Sequence, residues 1–263
     1  VFPYIGKIPI QDVKPVHILK IIRKVADRDA RTVALLIRQW CSQIFCYAVA
    51  TLRAEFDPCA SLKGAVTRQK VQHKRALTQS EIVELKEKLD QEKGTPWVRL
   101  SIKLLLLTFV RPGELRQAMW SEFDLENGEW RIPAERMKMR ETHTVPLSTQ
   151  AIALLLELRS ISQGRPQLFP NIRDPKRCMA MTTMNRYLER IGYGGKFSAH
   201  GFRATASTLL NEMSYRPDVI ERQLAHRERN RVRASYNHAA YMPERRAMMQ
   251  EWADLLDTGP GVM

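Results

Sequence analysis

The sequence is short of several features that would place it outside the aqueous interior of a cell. It has four cysteines in 263 residues, Cys41, Cys46, Cys59 and Cys178. None stands in a C-x-x-C pair and no Cys/His set has zinc spacing, which argues against a zinc module. The thiols read as reduced thiols of a cytoplasmic protein. The longest strongly apolar run, Ile102 to Val110, is interrupted by Lys103. It is too short to cross a bilayer and predicts a buried helix. No secretory signal is visible, and no repeat or low-complexity tract stands out. The chain opens at Val1 without a methionine, as expected of a fragment or a processed chain. Acidic residues are also scarce, 28 against 42 Lys and Arg, which leaves a net charge of +14 and a pI of about 9.9. That excess points to a polyanionic partner, with nucleic acid the leading candidate.

What remains is ordinary for a chain that buries a core, 44% hydrophobic residues. Residues 1–12 look irregular, punctuated by Pro3, Gly6 and Pro9. A helix is expected from Pro15 to Asp29 with Ile18, Ile21, Ile22 and Val25 on one face. A longer one is expected from Ala30 to Ala54, with Val33, Leu36, Ile37, Trp40, Ile44, Phe45 and Ala48 as its apolar set. The stretch 57–77 is broken by Pro58 and Gly64 and charged by Arg68, Lys70, Lys74 and Arg75, so it marks the best domain boundary.

Beyond it, Thr78 and Glu81 have capping-box spacing ahead of Ile82, Leu85 and Leu89. Pro96 opens the helix that carries the buried run. Pro112 and Gly113 turn the chain into a short helix and leave Arg111 at the tip of the preceding one. Asn127-Gly128 predicts a turn, and Trp130 to Ile132 and Thr142 to Leu147 predict strands, with Lys138 on or beside the hairpin tip. Helices follow from Ser148, over Met181 to Ile191, His200 to Met213, Pro217 to Ala225, Arg229 to Tyr236 and Pro243 to Leu256. Gly192, Gly194 and Gly195 lack a preceding strand and do not read as a nucleotide loop. The chain is therefore expected to be mainly α with a small antiparallel β-sheet.

The chemistry concentrates in 198–241, where His200 and Arg203 lie one turn apart near a helix amino end, a favourable place for an anion. His226 follows in Leu-Ala-His and Tyr236 in Ser-Tyr-Asn-His. Such groups suit attack of a phenol on a phosphodiester. A lone His-x-x-Arg is weak, since His226 and Arg229 repeat it. The ordered set is what carries weight: Arg-Pro-Gly-Glu-Leu, a hairpin lysine, Ala-His-Gly-Phe-Arg, Leu-Ala-His, Ser-Tyr-Asn-His.

On those residues the chain resembles the tyrosine recombinases, in their prophage integrase branch, over nearly its whole length. The resemblance matches Arg111, Lys138, His200, Arg203, His226 and Tyr236 to the catalytic positions and Glu114 to the neighbouring acidic one. It implies a helical core-binding, DNA-binding domain over 1–62, a basic linker over 63–77 and an α+β catalytic domain over 78–263. It also implies a 3′-phosphotyrosine intermediate and strand exchange by a homo-tetramer on double-stranded DNA at attachment-type sites, with accessory DNA-bending or excision factors as further partners. Arg111 and Arg203 would hold phosphate oxygens in a fork that Lys cannot copy. Lys138 would protonate the departing 5′-oxygen, His200 would accept the tyrosine proton, His226 would donate to a phosphate oxygen, and Glu114 would orient Arg111. No Asp/Glu cluster of metal-binding form accompanies the set, so neither metal nor other cofactor is expected.

Tyr241 is the rival nucleophile or a packing aromatic. The terminal helix either packs on its own domain or, by the resemblance, on a neighbouring protomer. Two other functional readings share these residues: a type IB topoisomerase, and a DNA-binding protein whose active site is idle.

Overall fold

The computed structural model describes residues 1–68, 75–92, 94–137, 140–226 and 239–258. The chain divides into two compact units, Val1–His73 and Lys74–Met263.

The first unit is helical: α1 (Phe2–Ile5), α2 (Pro15–Ala26) and α3 (Arg31–Ala50), with 3₁₀ turns at Ile10–Asp12 and Ala60–Leu62. The opening residues, expected to be irregular, thus include two short helical turns. Ile18, Ile21, Ile22 and Val25 of α2 are buried as their spacing predicts. For α3 the expected apolar set is buried only in part: Phe45 and Ala48 are buried and Ile37 packs against the core, but the rest needs correcting. Ala34, Cys41, Phe45 and Ala48 enter the core, whereas Val33, Leu36, Trp40 and Ile44 are exposed. Two faces of this helix carry apolar residues at helical spacing, and the Ala34–Cys41–Phe45 side shares a core with Ile18, Ile22 and Val25 of α2. Its 20 residues make α3 long and apolar enough, by composition, to cross a membrane. Burial of its Ala34–Cys41–Phe45 side in the core makes it a packed helix of this unit. The turn after it is tied back by Ser42 donating to Asp57, whose other carboxylate oxygen accepts the Cys59 N–H at 2.8 Å.

The second unit begins at α4 (Gln79–Gln91), whose amino end forms the expected capping box. The Glu81 N–H donates to Thr78 Oγ1, and the Thr78 N–H to Glu81 Oε2 at 2.9 Å. Helix α5 (Pro96–Thr108) starts at a proline, which needs no donor at that position, and is buried nearly all round. It stops where Phe109 adopts a left-handed conformation, φ 39°. A bulky residue in that region costs about 1–2 kcal/mol. Packing holds it there: the Phe109 ring meets Trp252 edge-on at 6.0 Å. The turn then delivers Arg111 to the start of α6 (Pro112–Arg116).

The sheet has three antiparallel strands in the order β1 (Phe123–Asp124), β2 (Glu129–Ile132), β3 (His143–Pro146). The Asn127-Gly128 turn joins the first two, with Gly128 at φ 61°, a value that favours glycine. The two-residue β1 was not foreseen. Trp130 pairs with Val145 and Ile132 with His143 across β2 and β3. All four are buried, so one face of the sheet belongs to the core.

Helix α7 (Thr149–Ile161) is capped by Ser148, as its sequence predicts. Then come α8 (Thr183–Leu188) and a π turn at Glu189–Tyr193, where a single longer helix was expected. Gly192, at φ 95°, breaks the helix there. Helices α9 (Gly201–Glu212), α10 (Pro217–Gln223) and α11 (Met242–Thr258) complete the unit. The terminal helix α11 packs on its own unit. Trp252 and Leu256 are buried, and the indole N–H donates to the Leu106 carbonyl at 3.0 Å. The helix expected over 229–236 lies outside the described residues.

Candidate active site

The site is built around the carboxyl end of α10. A helix leaves backbone carbonyls at its end without intrahelical partners, and here those of the last α10 residue and of the two residues that follow it are taken by side chains from elsewhere. The Gln223 carbonyl lies 3.1 Å from Nε2 of His143 on β3. The Leu224 carbonyl accepts from Arg203 Nη2 at 2.6 Å. The Ala225 carbonyl accepts from Arg111 Nη2 at 3.0 Å. Two arginines separated by ninety-two positions in the sequence are thereby held against adjacent peptide groups.

Each is fixed a second time. Arg111 Nη1 pairs with Glu114 Oε1 at 2.7 Å, and the other oxygen of that buried carboxylate accepts the Arg111 backbone N–H at 2.9 Å. The expected Arg111–Glu114 pair therefore forms, and it closes the first turn of α6 as it does so. Arg203 Nη1 donates to the Phe109 carbonyl at 3.0 Å. The left-handed turn that ends α5 is what presents that carbonyl. Arg203 is 5% exposed and has no carboxylate within ion-pair distance among the described residues. Burial first, then the nearby Arg111, pushes its pKa down to about 10, so it stays charged at neutral pH.

His226 follows directly on these carbonyls. Its Nε2 lies 2.9 Å from Arg203 Nη2 and its Nδ1 2.7 Å from Glu221 Oε2. His200 sits at the N-cap of α9 and is largely exposed. Its pKa is lowered by partial burial first and then by the positive charges of Arg203 and Arg111. Glu114, Arg111, Arg203 and His226 thus converge, and His200 lies one turn before Arg203, whose backbone N–H donates to the His200 carbonyl at 3.3 Å. Lys138 and Tyr236 lie outside the described residues. Tyr241 is half-buried against the core with the Arg216 guanidinium 5.3 Å from its ring centre, an arrangement that suits a packing aromatic.

Three residues that brace this cluster were not singled out in the sequence: His143, Gln223, and Arg245, whose guanidinium donates to Gln223 Oε1. A signal existed for the first, because period-two alternation puts His143 on the buried face with Val145. Burial, followed by repulsion from Arg245, holds the His143 pKa at about 3, and the imidazole is neutral. Chemically the cluster is a concentrated positive region of fixed hydrogen-bond donors, with two imidazoles at its edge. It fits a tetrahedral anion whose charge grows during reaction.

The profile of the phage integrase family matches residues 75–242, and that of the phage integrase central domain matches residues 1–65. The chain belongs to the phage integrase family. The integrase of Enterobacteria phage P4 is 41% identical to this member over 273 residues, covering 98% of the chain and 62% of the phage protein. Prophage integrase IntS of Escherichia coli K12 is 37% identical over 258 residues, covering 98% of the chain and 67% of that protein. The chain spans about three-fifths of the length of the P4 relative. Among solved structures, a lambda integrase dimer bound to a COC′ core site superposes with a TM-score of 0.65 at 22% identity, over 84% of this chain and 81% of that one. The Tn1549 transposon integrase in complex with a circular intermediate DNA gives 0.69 at 14% identity, over 91% and 86%. At those identities the likeness is one of fold.

Proposed function

We propose that this chain carries the core-binding and catalytic regions of a site-specific DNA recombinase that cuts and rejoins strands through Tyr236. The observation that supports this best is the meeting of Arg111 and Arg203 on the two carbonyls that follow α10, with His226 against Arg203. A tyrosine, with an ordinary pKa near 10, is a poor nucleophile at neutral pH. Neighbouring cations lower the cost of its phenolate and neutralise the phosphate it attacks.

In the proposed step the phenolic oxygen of Tyr236 bonds to phosphorus and the bond to the 5′-oxygen breaks. The tyrosine proton passes to His200, and Lys138 protonates the 5′-oxygen. Arg111 and Arg203 bind the non-bridging oxygens, and Glu114 orients Arg111. The phosphotyrosine ester conserves the energy of the broken bond, so attack by a 5′-hydroxyl of the second duplex rejoins the strand without a nucleotide cofactor.

The substrates in this reading are attachment-type sites of a mobile element, with integration or excision as the outcome. A homo-tetramer is the working assembly, for which a lambda integrase tetramer bound to a Holliday junction is the precedent. Accessory bending or excision factors and a place on the bacterial nucleoid belong to the same reading. The charge of +14 supports binding along the phosphate backbone that weakens steeply with salt.

The test is a nicked suicide substrate, from which the cleaved fragment diffuses away. A denaturation-resistant protein–DNA adduct is expected, lost in Tyr236→Phe and kept in Tyr241→Phe. Absence of an adduct with intact DNA binding would overturn the proposal in favour of an idle binder. Plasmid relaxation without recombination between two sites would favour a topoisomerase.

A further inference from the structure

Behind the arginines lies a buried bracket of side chains centred on Gln223. Arg245, on the first turns of α11, is 2% exposed. Its Nε and Nη2 both donate to Gln223 Oε1, at 2.9 and 2.6 Å. Nη2 also donates to the Thr144 carbonyl at 2.6 Å, and Nη1 reaches the Ala240 carbonyl at 3.4 Å. His143, the residue before Thr144, holds the backbone carbonyl of the same Gln223. Two adjacent residues of β3 thus grip one residue of α10, one directly and one through Arg245. The next two carbonyls after Gln223 are those that receive Arg203 and Arg111.

A core normally spends a buried cation only on a carboxylate, and breaking such an arrangement is costly. Arg245 has no carboxylate within ion-pair distance among the described residues. Gln223, 1% exposed, turns its oxygen toward the guanidinium and leaves Nε2 without a hydrogen bond. Both features cost stability. An apolar pair would fill the space more cheaply but could not fix the height and rotation of the α10 terminus.

We propose that Arg245 is a positioning residue, which with His143 sets the carboxyl end of α10 so that its carbonyls aim Arg203 and Arg111 at the scissile phosphate. The inference rests on the proposed strand-cleavage reading. It assigns Arg245 no contact with DNA. Because it acts through groups that meet the non-bridging oxygens, its effect depends on the charge of those oxygens.

The experiment compares single-turnover adduct formation by the whole chain, Arg245→Lys and Arg245→Met on two suicide substrates. One carries an ordinary scissile phosphate. The other carries an uncharged methylphosphonate there, which needs less cationic stabilisation. Arg245→Lys keeps the charge and loses the fork, and controls for the loss of stability expected of Arg245→Met. On the phosphate substrate both variants are expected to be slower by roughly ten- to a hundredfold, since small misplacements at a reacting centre have effects of that size. DNA affinity should be unchanged, and on the methylphosphonate the deficit should shrink to about threefold or less. Equal deficits on both substrates, or none on either, overturn the positioning role. Absence of an adduct with the unaltered chain would instead overturn the cleavage reading and this inference with it.

Discussion

Nη2 of Arg203 lies 2.9 Å from Nε2 of His226, so the guanidinium donates and the imidazole accepts. The other ring nitrogen, Nδ1, faces Glu221 Oε2 at 2.7 Å and carries the proton. In this arrangement His226 has no N–H to offer a phosphate oxygen. To donate from Nε2 it would have to take up a second proton, with Arg203 turning to the phosphate. Glu221 would stabilise the imidazolium that results.

The role of Glu221 follows from that exchange. Glu221→Gln keeps an oxygen for Nδ1–H and removes the charge. Adduct formation on the suicide substrate is expected to slow about tenfold, the size of the difference between a charge-assisted and a neutral hydrogen bond. Because Glu221 is acidic, DNA binding should hold or strengthen. An unchanged rate would mean that His226 acts in its neutral form.

Arg203 tests the fork geometry. Its substitution by Lys keeps a charge near the Phe109 and Leu224 carbonyls but presents one point donor group in place of a planar pair. A fall of about 10²–10³-fold in the adduct-forming rate is expected, with little change in DNA affinity. Affinity and rate falling together would mean that Arg203 holds DNA in the ground state as strongly as in the transition state.

Much of this framework is legible in local sequence. Thr78–Glu81, Pro96, Ser148 and the Asn127-Gly128 turn act through residues within a few positions of one another, and each forms as its spacing predicts. The misreading of α3 has the opposite cause. Val33, Leu36, Trp40 and Ile44 share the helical period of Ala34, Cys41 and Phe45, and only the approach of α2 decides which side is buried. At the candidate site the arginines and histidines were visible as residue types in an ordered set. What holds them was not: Phe109, Leu224 and Ala225 contribute backbone carbonyls, which any residue could supply. Gln223 and Arg245 are joined across twenty-two positions by a contact that exists only after α10 and α11 have packed.

His143 gives the second unit a pH dependence of known sign. Its folded pKa is about 3, against about 6.5 for an unperturbed histidine. Between those values the unfolded chain binds a proton that the folded one does not. The stability His143 allows is therefore complete above about pH 6.5 and declines as the pH falls toward 3, by roughly 1.4 kcal/mol per unit at the steepest. Urea unfolding measured from pH 7 to pH 5, above most carboxylate titrations, should show that loss in the unaltered chain. His143→Gln, which can still donate to the Gln223 carbonyl, should flatten the slope even though its fit is poorer. Equal slopes in the two proteins would show that the imidazole reaches solvent when it protonates.

Trp252 separates two uses of the terminal helix. In this structure its ring lies edge-on to Phe109 and its N–H is bonded to the Leu106 carbonyl, so α11 helps hold the left-handed turn whose carbonyl receives Arg203. Trp252→Ala should therefore destabilise the isolated chain by about 3–5 kcal/mol and slow adduct formation even where a single protomer occupies a single site. Were the helix instead to dock mainly on a neighbouring protomer, the substitution would leave monomer unfolding unchanged and lower only the yield of higher assemblies on DNA. Denaturant melts of the monomer and sedimentation of the DNA complex distinguish the two. The burial of Trp252 and Leu256 within their own unit predicts the first outcome.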